Sequence, residues 1–122
     1  MMTSKVLIID DDNRNIFALK AVLKAKGYQC LAATGAEEGI ELLKQGEDVG
    51  VVLMDMMMPG MDGYQAMAEI RNLPEIGHIP VIAVTAQAMV GDRERCLEAG
   101  AVGYVSKPIN VEILTGLLKK YI

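Results

Sequence analysis

The sequence predicts an α/β domain built on a parallel sheet with helices on both faces. Three observations predict it. Apolar runs and segments of helical periodicity alternate five times along the chain, with short connections. Several of the runs are apolar and β-branched without a polar alternation, the pattern of strands buried on both faces. Acidic, hydroxyl or basic residues directly follow four of the runs, and open α/β sheets bind ligands at the carboxyl ends of their strands.

Lys5-Val6-Leu7-Ile8-Ile9 reads as the first strand and runs into Asp10-Asp11-Asp12. Asp12 or Asn13 can cap the helix that follows, because a short polar side chain accepts from the orphan N–H groups of a first turn. Ile16, Leu19 and Leu23 recur at helical spacing with Lys20, Lys24 and Lys26 on the wet side, and Gly27 stops the helix. Residues 28–33 make a second, less hydrophobic strand suited to a sheet edge. Thr34 or Gly35 opens a helix with Ile40 and Leu43 inward, closed by Gly46.

The third strand, Val49-Gly50-Val51-Val52-Leu53-Met54-Asp55, is the one around which the rest is arranged. It is a buried run that ends on a carboxylate, and Pro59-Gly60 and Asp62-Gly63 then turn the chain. A carboxylate there is costly unless it is paired, metal-bound or open to a crevice. Asp62 is the better placed cap for the next helix, so Asp55 is left for chemistry. That helix, 64–73, turns Met67 and Ile70 inward and stops before Pro74. The fourth strand is read over 79–84 with Pro80 near its start, where a missing N–H is tolerated, and it runs into Thr85-Ala86. Residues 89–99 can be helical, with Gly91 either inside that helix, which it would weaken, or fixing its start, and 102–105 make a short fifth strand leading into Ser106-Lys107-Pro108. Residues 111–122 close the chain as a helix with Leu114, Leu117, Leu118 and Tyr121 on one face.

The 122 residues make one domain, 1–122, with a single core, and the 52% hydrophobic content excludes disorder. A formal charge of -4 gives no electrostatic footprint for nucleic acid. Cys30 and Cys96 lack metal-type spacing and read as reduced thiols of a cytoplasmic protein. The single histidine, His78, argues against a His-ligated metal or a catalytic triad. No signal peptide is visible, and no apolar run approaches the ~20 residues of a membrane span.

In a parallel sheet Asp10, Asp11, Asp55, Thr85 and Lys107 all fall at one edge. Clustered carboxylates repel unless a cation intervenes. Hard oxygen donors around an open position suit Mg²⁺. Metal, ammonium and hydroxyl together match the oxygens of a transferring phosphoryl group, and a carboxylate among them can carry that group as an acyl phosphate. Asp55 is the best placed nucleophile. Helix capping explains Asp12 but not three aspartates in a row.

Val6-Leu7-Ile8-Ile9-Asp10-Asp11-Asp12, Met54-Asp55-Met56-Met57-Met58-Pro59-Gly60-Met61-Asp62-Gly63, Val84-Thr85-Ala86 and Gly103-Tyr104-Val105-Ser106-Lys107-Pro108 together resemble the receiver (phosphoacceptor) domains of two-component response regulators, over the whole chain. The resemblance implies a flavodoxin-like (βα)5 three-layer sandwich with sheet order 2-1-3-4-5. It implies that Asp55 is phosphorylated, that Asp10 and Asp11 are the acidic pair, and that Asp11, Asp55 and the Met57 backbone carbonyl ligate Mg²⁺. Thr85 and Lys107 would contact the phosphoryl oxygens, with Ala86 beside them, and Thr85 and Tyr104 would form the switch. The Lys107-Pro108 peptide is expected to be cis. A sensor histidine kinase or histidine phosphotransfer protein would be the partner, with an attached or separate effector reading the surface of 89–122. Asn13-Arg14-Asn15-Ile16-Phe17 is similar to receivers of hybrid histidine kinases. Met57 and Gln87 would flank the path of an attacking water, and an apolar Met57 would slow loss of the phosphoryl group.

Other readings fit less well. A flavin module of this fold needs a phosphate loop after the first strand, and Asp10-Asp11-Asp12 repels phosphate. The 4% aromatic content also leaves little to stack on a flavin. A dehalogenase-type phosphohydrolase would place a second Asp where Met57 stands. A binding module with a dead site would not need the complete set. The clustered methionines read as flexible core filler rather than a soft-metal site.

Overall fold

The computed structural model describes residues 4–86 and 90–122. Among these the chain forms β1 (Lys5–Ile9), α1 (Asn13–Ala25), β2 (Cys30–Ala33), α2 (Ala36–Lys44), β3 (Val49–Asp55), α3 (Gly63–Asn72), β4 (Val81–Thr85), α4 (Asp92–Glu98), β5 (Gly103–Ser106) and α5 (Val111–Leu118). All pairings are parallel and the strand order is β2-β1-β3-β4-β5, the flavodoxin-like order expected.

Successive strand residues point to opposite faces, and the core divides accordingly. Leu7, Ile9, Val52, Met54, Val81 and Ala83 face α2, α3 and α4, through Ile40, Leu43, Met67, Ile70 and Cys96. Val6, Ile8, Val51, Leu53, Ile82, Val84 and Val105 face α1 and α5, through Ile16, Leu23, Leu114 and Leu118. Register then fixes the site. Ile9 pairs with Met54, Asp55 with Val84 and Thr85 with Ser106, so Asp10, Asp55, Thr85 and Lys107 emerge along one edge of the sheet.

Local chemistry sets the element ends. Asp12 caps α1 by accepting from the Arg14 N–H. Asp62 caps α3 in a reciprocal capping box with Gln65. α2 opens on Gly35 with no side-chain cap. The structure also revises several sequence expectations. β2 is shorter than 28–33, beginning at Cys30. β4 begins at Val81 rather than 79; Pro80 precedes it, and its carbonyl accepts from the Val52 N–H. β5 is shifted one residue on, to Gly103–Ser106. α4 begins at Asp92 rather than 89: of the two places open to Gly91, the structure has it at the helix start, where it takes a left-handed φ of 84° that a helix interior does not allow. Gln87 and Met89 lie outside the described residues. α5 ends at Leu118, so Tyr121 lies beyond the helix and is exposed.

Candidate functional site

The site lies where β1, β3, β4 and β5 end. Asp10 and Asp55 are buried, whereas Asp11 is exposed. Each of the three offers a carboxylate oxygen, and these oxygens lie within 4.8 Å of one another. Lys107 follows β5 and reaches back over the sheet edge. Its Nζ lies 3.3 Å from Asp10 Oδ2 and 3.4 Å from Asp55 Oδ2. The Lys107–Pro108 peptide is cis, as expected. Backbone amides complete the carboxylates: the Met57 N–H donates to Asp55 Oδ1 at 3.0 Å and the Asp12 N–H to Asp10 Oδ1 at 2.8 Å. Thr85 is buried at the end of β4, and its carbonyl accepts from the Lys107 N–H at 2.7 Å.

Burial pushes the Asp55 carboxyl above the usual carboxylate range; the Met57 N–H pulls it down, Asp10 pushes it up and Lys107 pulls it down. Burial would lower the Lys107 ammonium, but Asp55 and Asp10 outweigh it and hold Lys107 above its ordinary value. Three carboxylates against one ammonium leave an excess of negative charge. The donors are all oxygens, and Asp11 keeps the cluster open to solvent. That set suits a small hard dication that retains several waters.

The loop after β3 is held close to the sheet. A Cβ at Gly63 would meet Met56 Sδ at 2.5 Å and Met56 Cα at 2.7 Å, so only glycine lets α3 start here. This packing buries Met56 and Met58 and leaves Met57 51% exposed at the mouth of a cleft that Thr85 also lines.

Of the residues the sequence singled out, Asp10, Asp11, Asp55 and Lys107 are brought together, with Thr85 and the Met57 backbone adjoining them. Ala86 is exposed beside Thr85, Pro108 follows Lys107, and Gln87 is outside the described residues. Tyr104 lies on the edge strand β5, and its hydroxyl donates to Asp92 Oδ2 at 3.1 Å. Sequence reasoning missed Asp92 and Tyr64, which meet Tyr104 across three elements. No periodicity or motif links them. Burial, chiefly, and the Asp92 hydrogen bond raise the Tyr104 phenol; burial and the Cys96 contact raise that of Tyr64.

A family model for the response regulator receiver domain matches residues 6–119. The chain is 38% identical over 118 residues to the sensor histidine kinase CheAY of Helicobacter pylori, covering 96% of this chain but spanning only 15% of that kinase's length. It is 34% identical over 121 residues to the polar-differentiation response regulator DivK of Brucella ovis, covering 99% of this chain and 98% of DivK. Among solved structures it is similar to the receiver domain of the sensor histidine kinase PA1611 from Pseudomonas aeruginosa, with 31% identity, a TM-score of 0.87 and 98% coverage of each chain. That crystal structure has a magnesium ion coordinated in its active-site cleft.

Proposed function

This chain belongs to the response regulator receiver domain family, and on that footing we propose that Asp55 is the phosphoacceptor through which it serves a two-component phosphorelay. The observation that carries the assignment is the Lys107 ammonium, 3.3 Å from Asp10 and 3.4 Å from Asp55, over a cluster of three carboxylates. The span 1–122 acts as one receiver unit. Asp10, Asp11, Asp55 and the Met57 carbonyl would hold Mg²⁺. When bound, the ion supplies a Lewis acid for the phosphoryl oxygens.

Asp55 attacks the phosphorus of a donor through the carboxylate oxygen nearer Lys107, Oδ2. One O–P bond forms, and the bond from phosphorus to the donor breaks. The leaving group departs with the electron pair. Oδ1 stays tied to the Met57 N–H, which fixes the plane of the carboxylate. Lys107 bears on a phosphoryl oxygen, and the Thr85 hydroxyl donates to another, as charge on these oxygens is redistributed. Asp10 holds the ammonium in place from the other side. The reaction modifies the chain itself, so this is a self-modifying relay component rather than a turnover enzyme. The donor is a phosphohistidine of a sensor histidine kinase or a histidine phosphotransfer protein. An attached or separate effector reads the surface of α4, β5 and α5, with Thr85 and Tyr104 as the switch. Among the described residues no helix is long and apolar enough to cross a membrane; a cytoplasmic site of action rests on the proposed phosphorelay partners.

Acetyl phosphate with Mg²⁺ tests the assignment. Intact-mass spectra should show one added phosphate, absent in Asp55→Asn and absent when the metal is chelated. Equal labelling of Asp55→Asn refutes it.

Met57 carries a second expectation. Its thioether stands exposed at the mouth of the cleft and offers no strong hydrogen bond to water. Met57→Asn supplies an amide that can orient an attacking water. The acyl phosphate of this variant should decay several-fold faster than that of the unaltered chain. Decay at the same rate contradicts a shielding role for Met57.

A further inference from the structure

Asp92 opens α4, and each of its carboxylate oxygens is taken by a tyrosine from a different element. Tyr64 of α3 donates to Oδ1 at 3.3 Å, and Tyr104 of β5 donates to Oδ2 at 3.1 Å. One turn along α4, the Arg95 guanidinium lies 4.9 Å from the centre of the Tyr64 ring. Cys96 Sγ is 3.6 Å from the Tyr64 hydroxyl. These contacts matter because α4 has little else to seat it. It is seven residues long and buries Cys96, whereas α2 and α3 each bury four residues. Hydrophobic stabilisation scales with apolar area buried, so α4 owes an unusual share of its seating to polar groups gathered around one carboxylate. Gly91, directly before Asp92, has a φ of 84° and no Cβ to pack. Thr85 ends β4 at the edge of the acidic cluster, seven residues before Asp92 in the chain.

We propose that Asp92 is a latch: a positioning residue outside the acidic site that holds α4 and Tyr104 in the resting arrangement and so restrains phosphoryl uptake. This rests on the reading of Asp55 as phosphoacceptor. The logic is linkage. If a phosphoryl group on Asp55 favours an arrangement in which Thr85 and α4 have moved, anything that weakens the resting arrangement must favour the phosphorylated form equally. On this reading the two hydrogen bonds to the Asp92 carboxylate belong to the resting arrangement, and removing them shifts the balance without touching the acidic cluster.

The test uses the full chain labelled with 3-fluorotyrosine, whose four tyrosines are assigned by single phenylalanine replacements. Asp92→Ala should take up phosphoryl from acetyl phosphate about 3- to 10-fold faster, as expected for losing two charge-assisted bonds that compete with a moved state. Before any phosphodonor is added, its Tyr104 fluorine signal should already move toward the position it takes in the unaltered chain with beryllium fluoride. Tyr64→Phe removes a single hydroxyl and should do both in smaller measure, which keeps the test valid if Asp92→Ala does not fold. Tyr28→Phe, remote from the latch, should do neither. A merely structural role for Asp92 would lower thermal stability, leave the uptake rate where it was, and shift the Tyr104 signal only by loss of its own hydrogen bond, not toward the beryllium fluoride position. If the unaltered chain labels while Asp92→Ala and Tyr64→Phe label at its rate, or if the Tyr104 signal in Tyr64→Phe, which keeps the Tyr104–Asp92 bond, does not move toward its beryllium fluoride position, the latch is overturned and the phosphoacceptor reading stands. If the unaltered chain does not label, that reading falls and the latch with it.

Discussion

Lys107→Ala should take up phosphoryl groups on the order of a hundred-fold more slowly than the unaltered chain, the usual loss for removing one preorganised group from a developing anion. The lysine touches both buried carboxylates, at 3.3 Å to Asp10 and 3.4 Å to Asp55. Its removal therefore acts twice. The transferring phosphoryl loses a cation, and the Asp55 carboxyl, already pushed up by burial and Asp10, loses the ammonium that opposes them. Both changes slow attack. Raising Mg²⁺ should recover part of the second effect and not the first. Lys107→Arg should recover little, because a planar guanidinium does not fit the place of a compact ammonium between two carboxylates. Rates from intact-mass time courses check this; Lys107→Ala within about three-fold of the unaltered chain would contradict a role in transfer.

Arg71→Ala should lower stability by about 3 kcal/mol without altering the acidic cluster. The half-buried guanidinium leaves α3 and binds three carbonyls at once: Nη1 donates to Gly77 O at 2.9 Å and Ile79 O at 2.8 Å, and Nη2 donates to Gly100 O at 2.8 Å. It joins the loop before β4 to the loop after α4. Truncation leaves three carbonyls to find other partners, and charge-assisted bonds to a cation are worth roughly 1.5–3 kcal/mol each without being additive. For a chain of this size the melting temperature should fall by roughly 10 °C. Arg71→Lys should rescue little, since one ammonium does not span three carbonyls on two loops. Denaturant or thermal unfolding measures it, and a loss below about 1 kcal/mol would show that water replaces the guanidinium without penalty.

What the sequence made legible follows from how far each signal reaches. The strands were legible because an apolar run needs only its own residues. The convergence of Asp10, Asp55, Thr85 and Lys107 was legible because parallel strands put their carboxyl ends at one edge, whatever the detailed register. Element ends were less so. β4 starts at Val81 because Pro80 has no N–H to give the ladder, and α4 starts at Asp92 because Gly91 turns left-handed. Tyr121 continues a helical spacing, yet the helix stops at Leu118. The polar ties between distant elements were not legible at all. Tyr64 and Asp92 are 28 residues apart, Asp92 and Tyr104 are 12 apart, and Arg71 reaches Gly100 across 29. Nothing local marks such pairs, since a tyrosine or an arginine on a helix reads as a solvated side chain until its neighbours are known.

The central claim is that Asp55 carries the phosphoryl group as an acyl phosphate. Borohydride reduces an acyl phosphate to an alcohol and leaves free carboxylates alone, so it converts a phosphorylated aspartate to homoserine. After incubation with acetyl phosphate and Mg²⁺, borohydride treatment and peptide sequencing by mass spectrometry should find homoserine at position 55 and aspartate at positions 10, 11 and 62. Homoserine at any of those three, or at none of the four in a chain that has gained a phosphate, would contradict the account.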